Sequence, residues 1–114
     1  MSKVLFLGII LFMIGQIGGW FQLNSQYMWK FWEDKPLLAS FVFGVPTSMF
    51  FWYAWRMIAG ATESVWAARF IGSGTGFLIF PVLTWFCLGE SMFTLKTMSC
   101  LFLSIIIILI QIYA

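Results

Sequence analysis

Charged residues break this chain into four long apolar runs, approximately Val4–Leu23, Leu37–Ile58, Ser64–Leu88 and Leu95–Tyr113. Each is close to or above the ~20 residues that cross a hydrocarbon layer of roughly 30 Å at about 1.5 Å per residue. Within the runs Leu, Ile and Phe follow one another without the apolar-polar alternation of a membrane barrel strand. A bilayer offers the backbone no water, so helices that satisfy their own peptide groups are the expected elements. The pattern predicts an all-α integral membrane protein, a single domain over residues 1–114 built as a bundle of four transmembrane helices.

The polar intervals between the runs are short, which predicts that sequential helices are antiparallel neighbours. The first, Gln26 to Pro36, mixes Lys30, Glu33, Asp34 and Lys35 with Trp29 and Trp32 and reads as an interfacial loop, with Pro36 opening the second helix. The second, Ala59 to Ser64, offers Gly60 as a helix stop and Thr62 as the cap of the third helix. A tight polar turn from Gly89 to Thr94 precedes the fourth. Gly44 and Pro46 in the second helix, and Pro81 in the third, are places where a helix backbone loosens.

Composition strengthens the membrane assignment: 62% of the residues are hydrophobic and 9% charged. The net charge of +2 is spread along the chain with no basic cluster, so no nucleic-acid partner is expected. The chain has no histidine, and Cys87 and Cys100 lie in apolar surroundings, so neither a metal site nor Cys-His chemistry is expected. With four acidic residues in all, the chain is poorly equipped as an enzyme, and no cofactor is expected. The seven tryptophans and fourteen phenylalanines read chiefly as interface belts and lipid-facing packing. No Ala-x-Ala cleavage motif follows the first run, which is therefore expected to stay as a helix, in a bacterial-type inner membrane.

The stretch Gly72-Ser73-Gly74-Thr75-Gly76 resembles a phosphate-binding loop in isolation, but it lacks the preceding strand and the terminal lysine. On a membrane helix, Gly72 and Gly76 carry the small-xxx-small spacing that brings two helices close, and helix packing is their expected role. Trp66, Arg69, Gly72, Ser73 and Gly76 fall on one helical face. Measured from Thr62, Arg69 is roughly 10 Å into the helix. It either snorkels to the headgroups, as Arg56 does more easily, or takes a partner such as Glu63, an anionic solute or a lipid phosphate. In the first helix, Gln16 among Gly15, Gly18 and Gly19 is expected to hydrogen-bond a neighbouring helix.

The segment Leu83–Leu109, with Trp85, the Gly89-Glu90 turn, Thr94 and an apolar last helix, resembles the end of a repeat unit in the drug/metabolite transporter superfamily. Length and layout are similar to its small four-helix members, the small multidrug resistance exporters and the paired small flippase subunits that move an aminoarabinose-carrying lipid. Gly15-Gln16 looks like a first-helix feature of the flippase-like branch. The exporters use a first-helix glutamate to exchange protons for cations, whereas this chain has Phe12-Met13-Ile14-Gly15-Gln16 there. The resemblance implies a transporter-like protein acting on an unidentified small solute or lipid. The residues point to an anion-favouring site around Trp66, Arg69, Ser73, Gln16 and Glu63. Lys3, Arg56 and Arg69 on one side of the membrane balance Lys30, Lys35 and Lys96 on the other, so insertion in both orientations and an antiparallel homodimer are expected, with membrane lipids or a second small membrane subunit as further partners. The alternative is a non-transporting membrane protein, either an accessory subunit of a larger complex or a viral-type pore or lysis factor.

Overall fold

The computed structural model describes residues 2–113 and contains, among them, helices and turns but no strand. Helix α1 covers Lys3–Met28, and a 3₁₀ turn follows at Lys30–Trp32. The second span is one continuous rod made of α2 (Pro36–Ala39), a π-turn (Ser40–Gly44) and α3 (Val45–Thr62). Helices α4 (Val65–Leu88) and α5 (Leu95–Tyr113) complete the bundle. These four spans are long and apolar enough to cross a membrane, and the chain is an integral membrane protein.

Local chemistry sets most of the helix ends. Ser2 caps α1 by accepting from the Leu5 N–H at 3.1 Å, and Pro36 opens α2 where its missing N–H costs nothing. Gly89, with φ of 73°, closes α4 in the left-handed conformation that glycine adopts without strain. Two boundaries differ from the sequence expectation. Helix α1 continues past Leu23 to Met28, because no breaker interrupts it. Gly60 stays helical, and α3 ends at Glu63, which takes the left-handed φ of 56°. The hydroxyl of Thr62 donates back to the Ile58 carbonyl at 2.7 Å, and it is Ser64 that caps α4, accepting from the Ala67 N–H at 3.2 Å.

The π-turn ends two residues before Pro46, and the cause is local. Proline at position 46 has no N–H for the Val42 carbonyl and its ring crowds that carbonyl, and a wider turn relieves both.

Packing is organised by glycines on α1. A Cβ on Gly8 would lie 2.6 Å from Ile58, and one on Gly15 would lie 2.6 Å from Phe51, so α1 and α3 touch almost backbone to side chain. Gly18 continues the same stripe against Thr47. On α4, Gly72 faces Phe12 and Gly76 faces Gln16, both closer than a Cβ allows. Leu5, Phe12, Ala54, Ile58, Ala68 and Ile71 form the core of α1, α3 and α4, and Ile112 from the end of α5 packs against it. Otherwise α5 is held mainly by α4, where Gly74 receives Ile108.

Candidate functional site

Because α5 meets the core at its C-terminal end and leans on α4 elsewhere, α1 and α5 diverge toward the Gly89–Thr94 turn. The wedge between them is a groove of about 520 Å³ lined by α1, α4 and α5. Its inner end carries Gln16, Ser73 and Gly76, its walls are Phe77, Phe80, Pro81 and Cys100, and Lys96 and Thr97 stand at the mouth.

Gln16 lies thirteen residues from the start of α1 and twelve from its end, roughly 20 Å and 18 Å along the axis, which puts it near the middle of the bilayer. An amide there cannot rely on water. Its Nε2 donates to the Gly72 carbonyl at 2.9 Å, an oxygen that also accepts from the Thr75 hydroxyl at 2.7 Å. The absence of a side chain at Gly76 is what leaves room, since a Cβ there would lie 2.9 Å from Gln16 Oε1. Oε1 has no hydrogen-bond partner among the described residues and is left as an acceptor beside the groove. Two turns along, Pro81 has no N–H to give the Phe77 carbonyl, so a second acceptor loses its usual helical donor on a wall of the same groove. Trp20, fully buried, ties α1 to α4 through its Nε1 donating to Thr84 Oγ1 at 2.9 Å.

The structure brings together Gln16, Ser73 and Gly76 and leaves the other sequence-derived candidates elsewhere. Trp66 is 72% exposed and stacks on Phe70, with ring centroids 6.1 Å apart. Arg69 is exposed and makes no ion pair with Glu63; among the described residues the one ion pair is Lys35 with Asp34 at 3.3 Å. The capping by Ser64 also moves the start of the helix, so Arg69 is only roughly 6 Å in from Val65, within snorkelling reach. Trp66 and Arg69 do share the face of Ser73 and Gly76, but the groove closes before it reaches them, where Ile112 of α5 meets the core. Arg56, on the same membrane side, rests over Trp52 at 5.5 Å.

Sequence reasoning missed Lys96, Thr97, Phe77, Phe80 and Cys100. The stripe on α4 that starts from Arg69 and runs between Trp66 and Gly76 stops one turn short; its continuation at Phe77 and Phe80 is the part that lines the groove with α5. No protein-family model, curated protein or solved structure matches this chain. Among the described residues, no cluster of histidine, cysteine or carboxylate side chains could hold a metal. What the groove can do chemically is bind carbon along its walls, accept a hydrogen bond at mid-membrane and meet negative charge at its mouth.

Proposed function

We propose that this chain is a small transporter-like protein that moves a small solute or lipid across the membrane as a dimer, with the groove between α1, α4 and α5 as its path. The single observation that carries this reading is the mid-membrane Gln16 amide, hydrogen-bonded on one side and presenting Oε1 to a groove whose walls are mainly apolar. A polar group at that depth is costly unless it is satisfied or used. Apolar walls with Lys96 at the mouth suit an amphiphile whose head is anionic and whose tail enters the groove. Glu90, on an adjoining hollow shared with Pro81 and Thr97, adds an acceptor for any ammonium on the same head. The groove is open on its side, and a second copy of the chain would close it. The resemblance to small four-helix transporters agrees with this layout, while the anion preference rests on Lys96 in place of Arg69.

The test is movement of a fluorescent anionic phospholipid between leaflets of vesicles holding the purified protein. Gln16→Leu and Lys96→Met should each slow it about tenfold or more, while Arg69→Gln leaves it within about twofold, since about 1.4 kcal/mol per lost polar contact is tenfold in rate. Equal rates with and without protein would end the transporter reading. A second reading, a non-transporting accessory subunit, is favoured by α5, whose outward residues Phe102, Leu103, Ile105 and Leu109 are exposed along its length. Stable co-purification with a different membrane polypeptide, together with no lipid movement, would establish that reading instead.

A further inference from the structure

At the opposite end of α1 from Lys3, five aromatic rings line a hollow of about 470 Å³: Phe21 from α1, Trp29, Phe31 and Trp32 from the connecting turn, and Phe43 from the π-turn. Phe21 stacks on Trp29 and on Phe43, with centroids 6.3 Å and 6.4 Å apart. Trp32 closes the ring of contacts, 5.1 Å from Phe43 and 5.1 Å edge-on to Phe31. Among the described residues, no aliphatic or charged side chain lines it. At its rim the Lys35 ammonium stands 4.4 Å over the Phe31 ring.

We propose that this aromatic box binds the quaternary ammonium of a choline-type lipid headgroup, at a site separate from the groove. A hollow lined by aromatic rings offers π-systems whose negative faces attract a cation, and Phe31 already presents one face to an ammonium. The position of Lys35 exhibits that attraction within the chain itself. The same contact tells quaternary from primary ammonium. The Lys35 ammonium has three N–H donors, and two of them find acceptors outside the box, in the Phe31 carbonyl at 3.1 Å and Asp34 Oδ1 at 3.3 Å. Among the described residues the hollow offers no side-chain carboxylate or hydroxyl, so a primary ammonium moving inside would lose hydrogen bonds, whereas a trimethylammonium group has none to lose. Location selects the lipid source. The box lies where α1 ends and the second span begins, the level of headgroups, with Leu37 and Phe41 exposed beside it.

The experiment uses the purified full chain and two probes of one shape, choline and its neutral carbon analogue 3,3-dimethylbutan-1-ol, followed by the proton NMR shift of their methyl groups. Choline methyls are expected to move upfield under the rings on binding, and the neutral analogue to bind at least threefold more weakly. Phe31→Leu, at a ring that is 57% exposed and so tolerant of truncation, should weaken choline about threefold to tenfold. Lys35→Met removes a like charge 4.4 Å from the Phe31 ring and should tighten choline binding by about twofold to fivefold, while Lys30→Met, at a residue over no ring among the described residues, leaves it unchanged. Equal binding of the two probes, or a Lys35→Met protein no tighter than Lys30→Met, overturns the cation site. In phosphatidylglycerol nanodiscs, raising the phosphatidylcholine fraction should displace bound choline in the wild type. Failure of the lipid to compete would assign the box to a soluble cation and overturn the lipid assignment. None of these readouts depends on lipid movement, so the box and the groove stand or fall separately.

Discussion

The tightest constraints on single residues are steric. Gly15→Ala would place a Cβ 2.6 Å from a Phe51 ring carbon that is backed by the core, and is expected to destabilise the bundle by about 1–3 kcal/mol. Gly60→Ala meets nothing within 4 Å and sits in the last turn of α3, so it is expected to be neutral or to stabilise by up to about 1 kcal/mol. The pair is read by unfolding in mixed detergent micelles, and a gain at Gly15 equal to that at Gly60 would show that helix propensity, not contact, governs the α1–α3 seam. Thr47 supplies a polar counterpart. Its hydroxyl is buried against Gly18 with no hydrogen-bond partner among the described residues. Thr47→Val should therefore raise stability, by about 1 kcal/mol, because it removes an unsatisfied oxygen and keeps the shape.

At the scale of elements, the α3–α4 turn is the clearest test of local rules. Ser64→Ala removes the cap of α4 and should cost about 1 kcal/mol. Glu63→Gly relieves a left-handed φ of 56° and should gain up to about 1 kcal/mol, provided Glu63 has no ligand to hold. Detergent unfolding of both variants checks the signs. Here the sequence made the right kind of prediction at the wrong residues: Gly60 and Thr62 are suitable stop and cap residues, yet Glu63 and Ser64 serve. A helix ends where its tertiary contacts end, and Ala59 is still packed against the core, so the chain stays helical through Gly60 before it turns. The π-turn was closer to legible, since Gly44 and Pro46 mark a loosened backbone, although the direction of loosening needed the structure.

For the whole molecule, charge balance is the lever. With Lys3, Arg56 and Arg69 toward one side and Lys30, Lys35 and Lys96 toward the other, a C-terminal reporter should be accessible from both sides of the membrane. Adding lysines at Gln26, in the last turn of α1, and at Ser91, in the Gly89–Thr94 turn, should drive that end of the bundle to the cytoplasmic side and leave the reporter in a single orientation. If that population was already single in the wild type, an antiparallel pair is excluded, and a parallel pair or a heteromeric partner takes its place.

The class of the protein, its four spans and most of its turn chemistry were written in the sequence, because the bilayer demands long apolar helices and leaves charges only at their ends. The sequence also marked Gln16, Ser73 and Gly76, since a mid-span amide and a small-residue stripe are local signals. Which neighbours those residues meet was decided by tertiary structure alone. Four apolar helices have no strongly amphipathic face to announce their partners, because lipid and protein surroundings favour the same side chains. The divergence of α5 from α1 places Lys96 and Thr97 at the groove and leaves Arg69 outside it. The meeting of α1, the connecting turn and the π-turn likewise turns five separate interfacial aromatics into one box. Both results depend on contacts between residues far apart in the chain, and helical periodicity reports only which residues share a face, never what that face will touch.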